Sequence, residues 1–378
     1  MGFDMDKMTP KERFIGILSF EPVDRIPLID FGYWNETLQL WYEQGLPRDV
    51  NTPDKLSEYF GLDRGFERNA IGWYDDVPSG FIKDFYPVFE KKVVEETETT
   101  ITYESELGIT IERKDCNSIP QHIKHIVETM EDFETKVLSH MNARDPGRLQ
   151  SGFFDLIRIS KARNEPIGMT LNGFFAWPRI LLGIENQSMF YFDKPELIHA
   201  INKNQMQFLM DYIDVALEYT DIDFAWFFED MAYNSGSFIS PDMFDEFMTP
   251  YYLKLNTYMK ERGIKKILVD SDGDVTCLCQ KFQEVGIDGI FPLEVNAGST
   301  PEKMRALYPK MAFMGGIRKS ALAEGKEAID IELSKLPPIV KKGGYIPTLD
   351  HFVPPEVTLE NYRYYVEQKR EILASCIE

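Results

Sequence analysis

Short apolar runs alternate with longer segments of helical spacing through most of the chain, from about residue 150 onward. The apolar runs are Ile167–Leu171, Phe224–Phe228, Lys266–Val269, Gly289–Leu293, Ala312–Met314 and Tyr345–Thr348. The segments with helical spacing are 195–218, 241–262, 275–285, 301–308, 326–341 and 358–374. Because buried parallel strands are almost continuously apolar and are joined by helices, this alternation predicts a parallel sheet covered by helices.

The first fifty residues carry the same kind of pattern. Thr9, Pro10 and Glu12 are the signature of a capped helix start, and residues 34–46 have the spacing of an amphipathic helix. Between them, Ile26–Phe31 is a seventh strand candidate, and we expect an eighth within 65–90 or 120–160. The predicted fold is therefore a single α/β domain over residues 1–378, a (β/α)8 TIM barrel, with an open doubly wound sheet as the alternative.

Residues 90–126 differ from this pattern because they are rich in β-branched residues and contain a turn near Gly108. Extended segments on both sides of such a turn are typical of a β-hairpin or meander. We expect an antiparallel elaboration that precedes the main barrel rather than a separate domain.

The charge and composition of the chain limit the kinds of partner that it is expected to bind and the cellular compartment in which it is expected to lie. The formal net charge of −21 disfavours binding to nucleic acid or to an anionic membrane surface. Four cysteines are too few for a disulfide scaffold in 378 residues, and the N-terminus shows no apolar leader. These features predict a cytoplasmic protein.

Polar side chains follow successive predicted strands, at the end of the barrel where active sites of this fold lie. They are Asn172, Glu229, Asp230, Asp270, Asp272, Asp274, Glu294, Arg318, Asp350 and His351. Several carboxylates in one place bind a cation, have raised pKa values or pair with arginine. Oxygen donors with one imidazole suit a divalent metal such as zinc, whereas turn formation and helix capping are the ordinary structural roles of the same residues.

Aromatic and basic residues near these positions are candidates for substrate binding. Tyr33, Trp34 and Phe175 are able to line an aromatic pocket, although core packing is the commoner role of such side chains. Arg318 follows a Gly-Gly turn and is able to hold a substrate carboxylate.

The chain resembles the uroporphyrinogen decarboxylase superfamily over nearly its whole length. The resemblance is carried by Thr9–Phe14, Pro22–Pro27 and the late segment Gly343–His351. In the decarboxylase branch, an arginine-rich signature, Met-Arg-Gln-Ala-Gly-Arg, follows the first strand. Here that place reads Asp30-Phe-Gly-Tyr-Trp-Asn35, without arginine, which makes a cofactor-free decarboxylase of an octa-anionic porphyrinogen the weaker alternative.

The resemblance to the second branch, the cobamide-dependent methyltransferases, implies zinc and a corrinoid carried by a partner protein. The His-x-Cys of the thiol-methylating members reads Asp270-Ser-Asp272 here, and their acidic residue matches Glu294. Their late cysteine falls near Asp350 and His351. Loss of the thiolates suggests a more Lewis-acidic metal and a small O- or N-methylated donor, such as an aromatic methyl ether.

The resemblance, together with the positions after the strands, implies a role for each candidate. Zinc would be held by Asp272, Glu294 and His351. Catalytic roles fall to Glu229, Asp270 and Arg318. Substrate-binding roles fall to Tyr33, Trp34, Asn172 and Phe175.

Overall fold

The strands of the computed structural model fall into a large parallel sheet and two smaller antiparallel ones. The structure describes residues 7–72, 81–105, 108–113 and 121–377. Its strands are β1 (Ala70–Ile71), β2 (Lys92–Glu96), β3 (Thr100–Ser105), β4 (Gly108–Arg113), β5 (Gln121–Lys124), β6 (Gly168–Asn172), β7 (Phe224–Phe228), β8 (Ala232–Tyr233), β9 (Gly236–Ser237), β10 (Lys266–Asp270), β11 (Gly289–Leu293), β12 (Ala312–Ile317) and β13 (Tyr345–Leu349).

The central sheet has the order β1-β6-β7-β10-β11-β12-β13, and each neighbouring pair is parallel. The sequence order follows the spatial order, as it does in a (β/α)8 barrel. Aromatic rings fill the interior, where the ring centroids of Phe66, Trp226 and Phe291 lie 5.2–6.0 Å apart. The predicted TIM-barrel fold is confirmed.

One predicted strand, Ile26–Phe31, is wrong. No ladder is formed by these residues, although they lie beside the end of β13, where Leu349 N donates to Asp30 Oδ1 over 3.1 Å. Pro27 lacks the N–H that a ladder requires, and the N–H of Leu28 donates to the Asp63 carboxylate instead of to a strand. The additional strand expected within 65–90 is β1.

Helices cover the sheet, and most lie where the sequence predicts them. They are α1 (Pro10–Leu18), α2 (Asn35–Glu43), α3 (Pro53–Phe60), α4 (Met130–Asp132), α5 (Ser151–Ala162), α6 (Ala176–Leu182), α7 (Ile184–Asp193), α8 (Pro195–Leu217), α9 (Pro241–Phe247), α10 (Thr249–Glu261), α11 (Cys279–Glu284), α12 (Pro301–Leu307), α13 (Lys319–Glu324), α14 (Lys326–Leu333), α15 (Pro337–Val340) and α16 (Leu359–Ala374).

Two predicted helices are each divided in the structure. Residues 241–262 form α9 and α10, which meet at Met248 just before Pro250, and residues 326–341 form α14 and α15, the second of which begins at Pro337. Proline fixes φ and has no N–H to donate, so a helix commonly starts at it rather than continuing through it.

The predicted antiparallel elaboration is the sheet β2-β3-β4-β5. Its expected place ahead of the barrel is wrong, because it is inserted between the barrel strands β1 and β6. Glu106 and Leu107 of the predicted turn lie outside the described residues, whereas Gly108 has a φ of +94°, a conformation that favours glycine. Among the described helices, none combines the length and the apolar character that a membrane crossing requires.

Candidate active site

His351 and Asp272 face each other at the carboxyl ends of the barrel strands. His351 Nε2 lies 3.6 Å from Asp272 Oδ2, and the indole ring of Trp34 stacks on the imidazole at 6.0 Å between centroids. Trp34 is 45% exposed, so this pair of rings lies at the barrel mouth within reach of solvent. The structure therefore places together one predicted substrate-binding residue and two predicted metal ligands.

Carboxylates surround this pair and change its proton affinity. Burial, reinforced by the carboxylates of Asp230 and Glu294, raises the pKa of Asp272 to about 7. Burial and the nearby ammonium of Lys319 lower the pKa of His351. Near neutral pH both groups therefore hold less charge than they would in water.

Glu294, the third predicted ligand, is tied to its neighbours. Its Oε2 accepts a hydrogen bond of 2.9 Å from Gly273 N, and its Oε1 lies 3.9 Å from Lys319 Nζ. The N–H of Lys319 donates to Asp350 Oδ1 over 2.9 Å, and burial raises the pKa of that carboxyl to about 6. Lys319 thus links the ends of β11, β12 and β13 in one charged group.

Asp270 lies deeper than Asp272 and faces a buried lysine. Burial, with the charges of Asp230, Asp272 and Glu67, raises the pKa of Asp270 well above its usual value. Burial lowers the pKa of Lys83 to about 7, against the opposing effect of Asp270. The catalytic role of Asp270 stays a prediction, and the structure adds Lys83 as its basic neighbour.

Glu229 supports the loop before α6. Its carboxylate accepts hydrogen bonds of 2.8–2.9 Å from the backbone N–H groups of Phe174, Phe175 and Ala176, and the hydroxyl of Tyr252 donates to it as well. These bonds engage both carboxylate oxygens and hold the loop in place. Direct catalysis by Glu229 stays a prediction.

Arg318 is turned toward the helical layer. Its guanidinium pairs with the carboxylates of Glu324 on α13 and Glu332 on α14. These two carboxylates engage most of its guanidinium, so its predicted catalytic role has no direct support in this geometry.

The other predicted substrate-binding residues are buried to different degrees. The hydroxyl of Tyr33 lies 2.9 Å from that of Tyr362 on α16, and its ring packs on Trp41, away from the His351 pair. Asn172 is buried and donates to Asp84 Oδ1. Phe175 is buried and stacks on Phe238, which is 43% exposed.

The donor set agrees only in part with zinc. Two ligands of one tetrahedral zinc lie roughly 3.5 Å apart, close to the separation of His351 Nε2 from Asp272 Oδ2. The Oε2 of Glu294 already accepts a hydrogen bond from Gly273 N, which leaves Oε1 as its freer oxygen. Within the described ranges, no group of three or more His, Cys, Asp or Glu side chains stands arranged for a metal ion.

Sequence reasoning missed Lys83, Lys319 and Glu67 as members of the site. Lys319 directly follows the predicted Arg318, so its position after a strand was a usable signal. Lys83 and Glu67 come from segments that the sequence pattern did not assign to the barrel ends, and only the tertiary contacts identify them.

Comparison with known proteins agrees with the fold and assigns the family. A methyltransferase from Methanosarcina mazei superposes over 97% of this chain and 99% of its own, with a TM-score of 0.62 at 15% identity. A curated uroporphyrinogen decarboxylase from Campylobacter lari is 26% identical over 184 residues. That alignment covers 48% of this chain and only half of the relative's length.

The family model described as uroporphyrinogen decarboxylase (URO-D) matches residues 99–372. The match includes the barrel from β6 to β13 and most of α16, and with it Asp272, Glu294 and His351. The chain therefore belongs to the uroporphyrinogen decarboxylase family, an enzyme family.

Proposed function

We propose that this protein is a methyltransferase that moves a methyl group from a small O- or N-methylated substrate to a corrinoid protein. The observation that carries the proposal is the His351–Asp272 pair at the barrel mouth, beside Glu294 and the exposed ring of Trp34. Such a site combines oxygen and nitrogen donors with an aromatic wall, which suits a small substrate held by one heteroatom. The methyltransferase-like fold supports the same class.

The relative from Campylobacter lari favours a second candidate, a cofactor-free decarboxylase. A polycarboxylate substrate needs guanidinium groups, and carboxylates near it are repulsive. Arg318, the arginine that follows β12, is already paired with the carboxylates of Glu324 and Glu332. The acidic character of the mouth therefore favours methyl transfer.

The side chains of this chain would bind and orient the substrate. Trp34 offers a flat apolar surface next to the His351 ring, so a substrate ring stacked there presents its methyl-bearing heteroatom to His351 and Asp272. Lys319 holds Glu294 in place. Zinc on His351, Asp272 and Glu294 would polarise that heteroatom, and the corrinoid of the partner would accept the methyl group.

The test is methyl transfer from a panel of O- and N-methylated donors to reduced cobalamin, followed by visible absorption. We expect activity from the wild type and a loss on the order of 100-fold in His351→Ala and Asp272→Asn. His199→Gln on α8 is the control, because this histidine packs on Phe247 in the helical layer. Elemental analysis should give about one zinc per chain, lost in His351→Ala.

Two results contradict the proposal. One is methyl transfer in His351→Ala equal to that of the wild type. The other is carbon dioxide release from a porphyrinogen with neither metal nor cobalamin present, which would establish the decarboxylase instead.

A further inference from the structure

A cleft of about 570 Å³ lies between the last strand of the antiparallel sheet, β5, and helices α6 and α7. Its volume lies within the range of pockets that bind small molecules. We propose that this cleft binds a small molecule that carries a carboxylate on an apolar body. None of the residues that the sequence predicted for the barrel mouth lines it.

The cleft lacks the acidic excess of the chain as a whole. Its basic side chains are Arg179, Lys124, His122 and His125, against the two carboxylates of Glu128 and Glu185. With histidine counted as neutral, the two cations Arg179 and Lys124 balance the two carboxylates. The chain as a whole has a formal charge of −21, so the cleft repels an anion less than the rest of the surface does.

Arg179 is the group in the cleft best suited to a carboxylate. Its Nη1 donates to the carbonyl oxygen of Asp230 over 2.5 Å, and its Nη2 lies 3.5 Å from Asp230 Oδ2. A guanidinium has five N–H donors. Arg179 lines the cleft, and the contacts found within the described residues leave guanidinium donors for a second oxygen ligand.

His125 offers a polar atom that the protein does not satisfy. Its Nδ1 is buried and has no hydrogen-bond partner among the described residues. The ring approaches Gly183 so closely that a Cβ there would lie 2.1 Å from His125 Nε2. A buried ring nitrogen without a partner is unfavourable, so rotation of the imidazole toward a ligand oxygen in the cleft would remove that cost.

The cleft also has apolar walls. Ile123 comes from β5, Ile180 and Leu182 come from α6, and Ile184 begins α7. These side chains suit an aromatic or branched hydrocarbon body, whereas inorganic phosphate has nothing to place against them. The ligand class is therefore an aryl or alkyl carboxylate.

Such a ligand has two possible sources that share this chemistry. It is the carboxylate end of the methylated substrate, reaching toward the mouth past Arg179 and Asp230, or it is a separate effector. The first source rests on the proposed function, whereas binding of a simple carboxylate in the cleft does not.

The experiment is isothermal titration of the full chain with benzoate, in the wild type and in Arg179→Gln and Lys124→Gln. Loss of a charge-assisted hydrogen bond predicts a dissociation constant raised roughly tenfold in each variant. Lys92→Gln on β2 is the matched control, because this exposed lysine belongs to the same sheet and is not part of the cleft. Lys124 is exposed, so its replacement leaves the fold intact even where Arg179→Gln lowers stability.

Titration with 4-methoxybenzoate separates the sources. Tighter binding than benzoate, with the gain lost in His351→Ala, identifies the ligand as the substrate's carboxylate end. Equal binding of both compounds, unaffected by His351→Ala, identifies a separate effector. Absence of benzoate binding, or equal affinity in the wild type, Arg179→Gln and Lys124→Gln, overturns the proposal.

Discussion

At the scale of single residues, Asp272 is a carboxylate whose ionisation opposes folding. Its pKa is raised to about 7 by burial and by Asp230 and Glu294, whereas an unfolded aspartate titrates near 4. The stability that this group contributes is fully present below about pH 4 and is lost as the pH rises through about 7.

Replacement of Asp272 by asparagine should therefore stabilise chelator-treated protein at pH 8. The midpoint of thermal unfolding should rise relative to the wild type at pH 8, and the difference should shrink toward pH 4. The exposed Asp221→Asn is the control and should change little at either pH. A lower midpoint for Asp272→Asn at pH 8 would show that the carboxylate is paired rather than repelled.

At the scale of elements, a carboxylate fixes the start of a helix. Glu229 follows β7 and accepts from three consecutive N–H groups at the start of α6, together with the Tyr252 hydroxyl. The N–H groups of a first helical turn have no partner within the helix, so this single side chain joins two elements of the barrel end.

Glu229→Gln should lower the free energy of unfolding by about 1–3 kcal/mol. The side-chain NH2 of the introduced glutamine is itself a donor, and it would face the N–H and O–H donors that the carboxylate now accepts from. Urea unfolding followed by circular dichroism measures the change. If Glu229 has only a structural role, Glu229→Gln should transfer methyl groups almost as fast as the wild type in an assay without urea, where the variant stays folded. A large loss of turnover with unchanged stability would instead favour the predicted catalytic role.

At the scale of the whole molecule, a buried ion pair joins the two ends of the chain. Lys369 Nζ on α16 lies 3.0 Å from Asp30 Oδ1, and both side chains are at most 1% exposed. The Asp30 carboxylate also accepts from the hydroxyls of Tyr362 and Tyr365. This network fixes the N-terminal segment beside β13, where a regular strand ladder is missing.

Lys369→Met should lower the free energy of unfolding by about 3–5 kcal/mol, because it leaves the Asp30 charge buried without its partner. Chemical denaturation at pH 7 measures this change. The double variant with Asp30→Asn should recover part of the loss, since no uncompensated charge then remains. A double variant less stable than Lys369→Met would refute the ion-pair account.

Local patterns of the sequence determined the barrel, because the periodicity of apolar residues that distinguishes a strand from a helix is visible within a few consecutive residues. The apolar runs at 224–228 and 289–293 match β7 and β11 residue for residue. The rule that polar residues after barrel strands meet at one end predicts the contact of His351 with Asp272, and Glu294 acts on both through its charge. The metal-binding role of these three residues stays a prediction. That the whole chain is a single domain, and that zinc and a corrinoid partner take part, stay predictions.

Only the tertiary structure decided which charges face each other. Glu229 and Arg318 both follow strands, yet one holds a helix start and the other pairs with Glu324 and Glu332. Lys83 acts on Asp270 through its charge, from a segment far away in the chain. Pairing of this kind depends on the distances between side chains of remote elements, and neither periodicity nor residue type contains those distances.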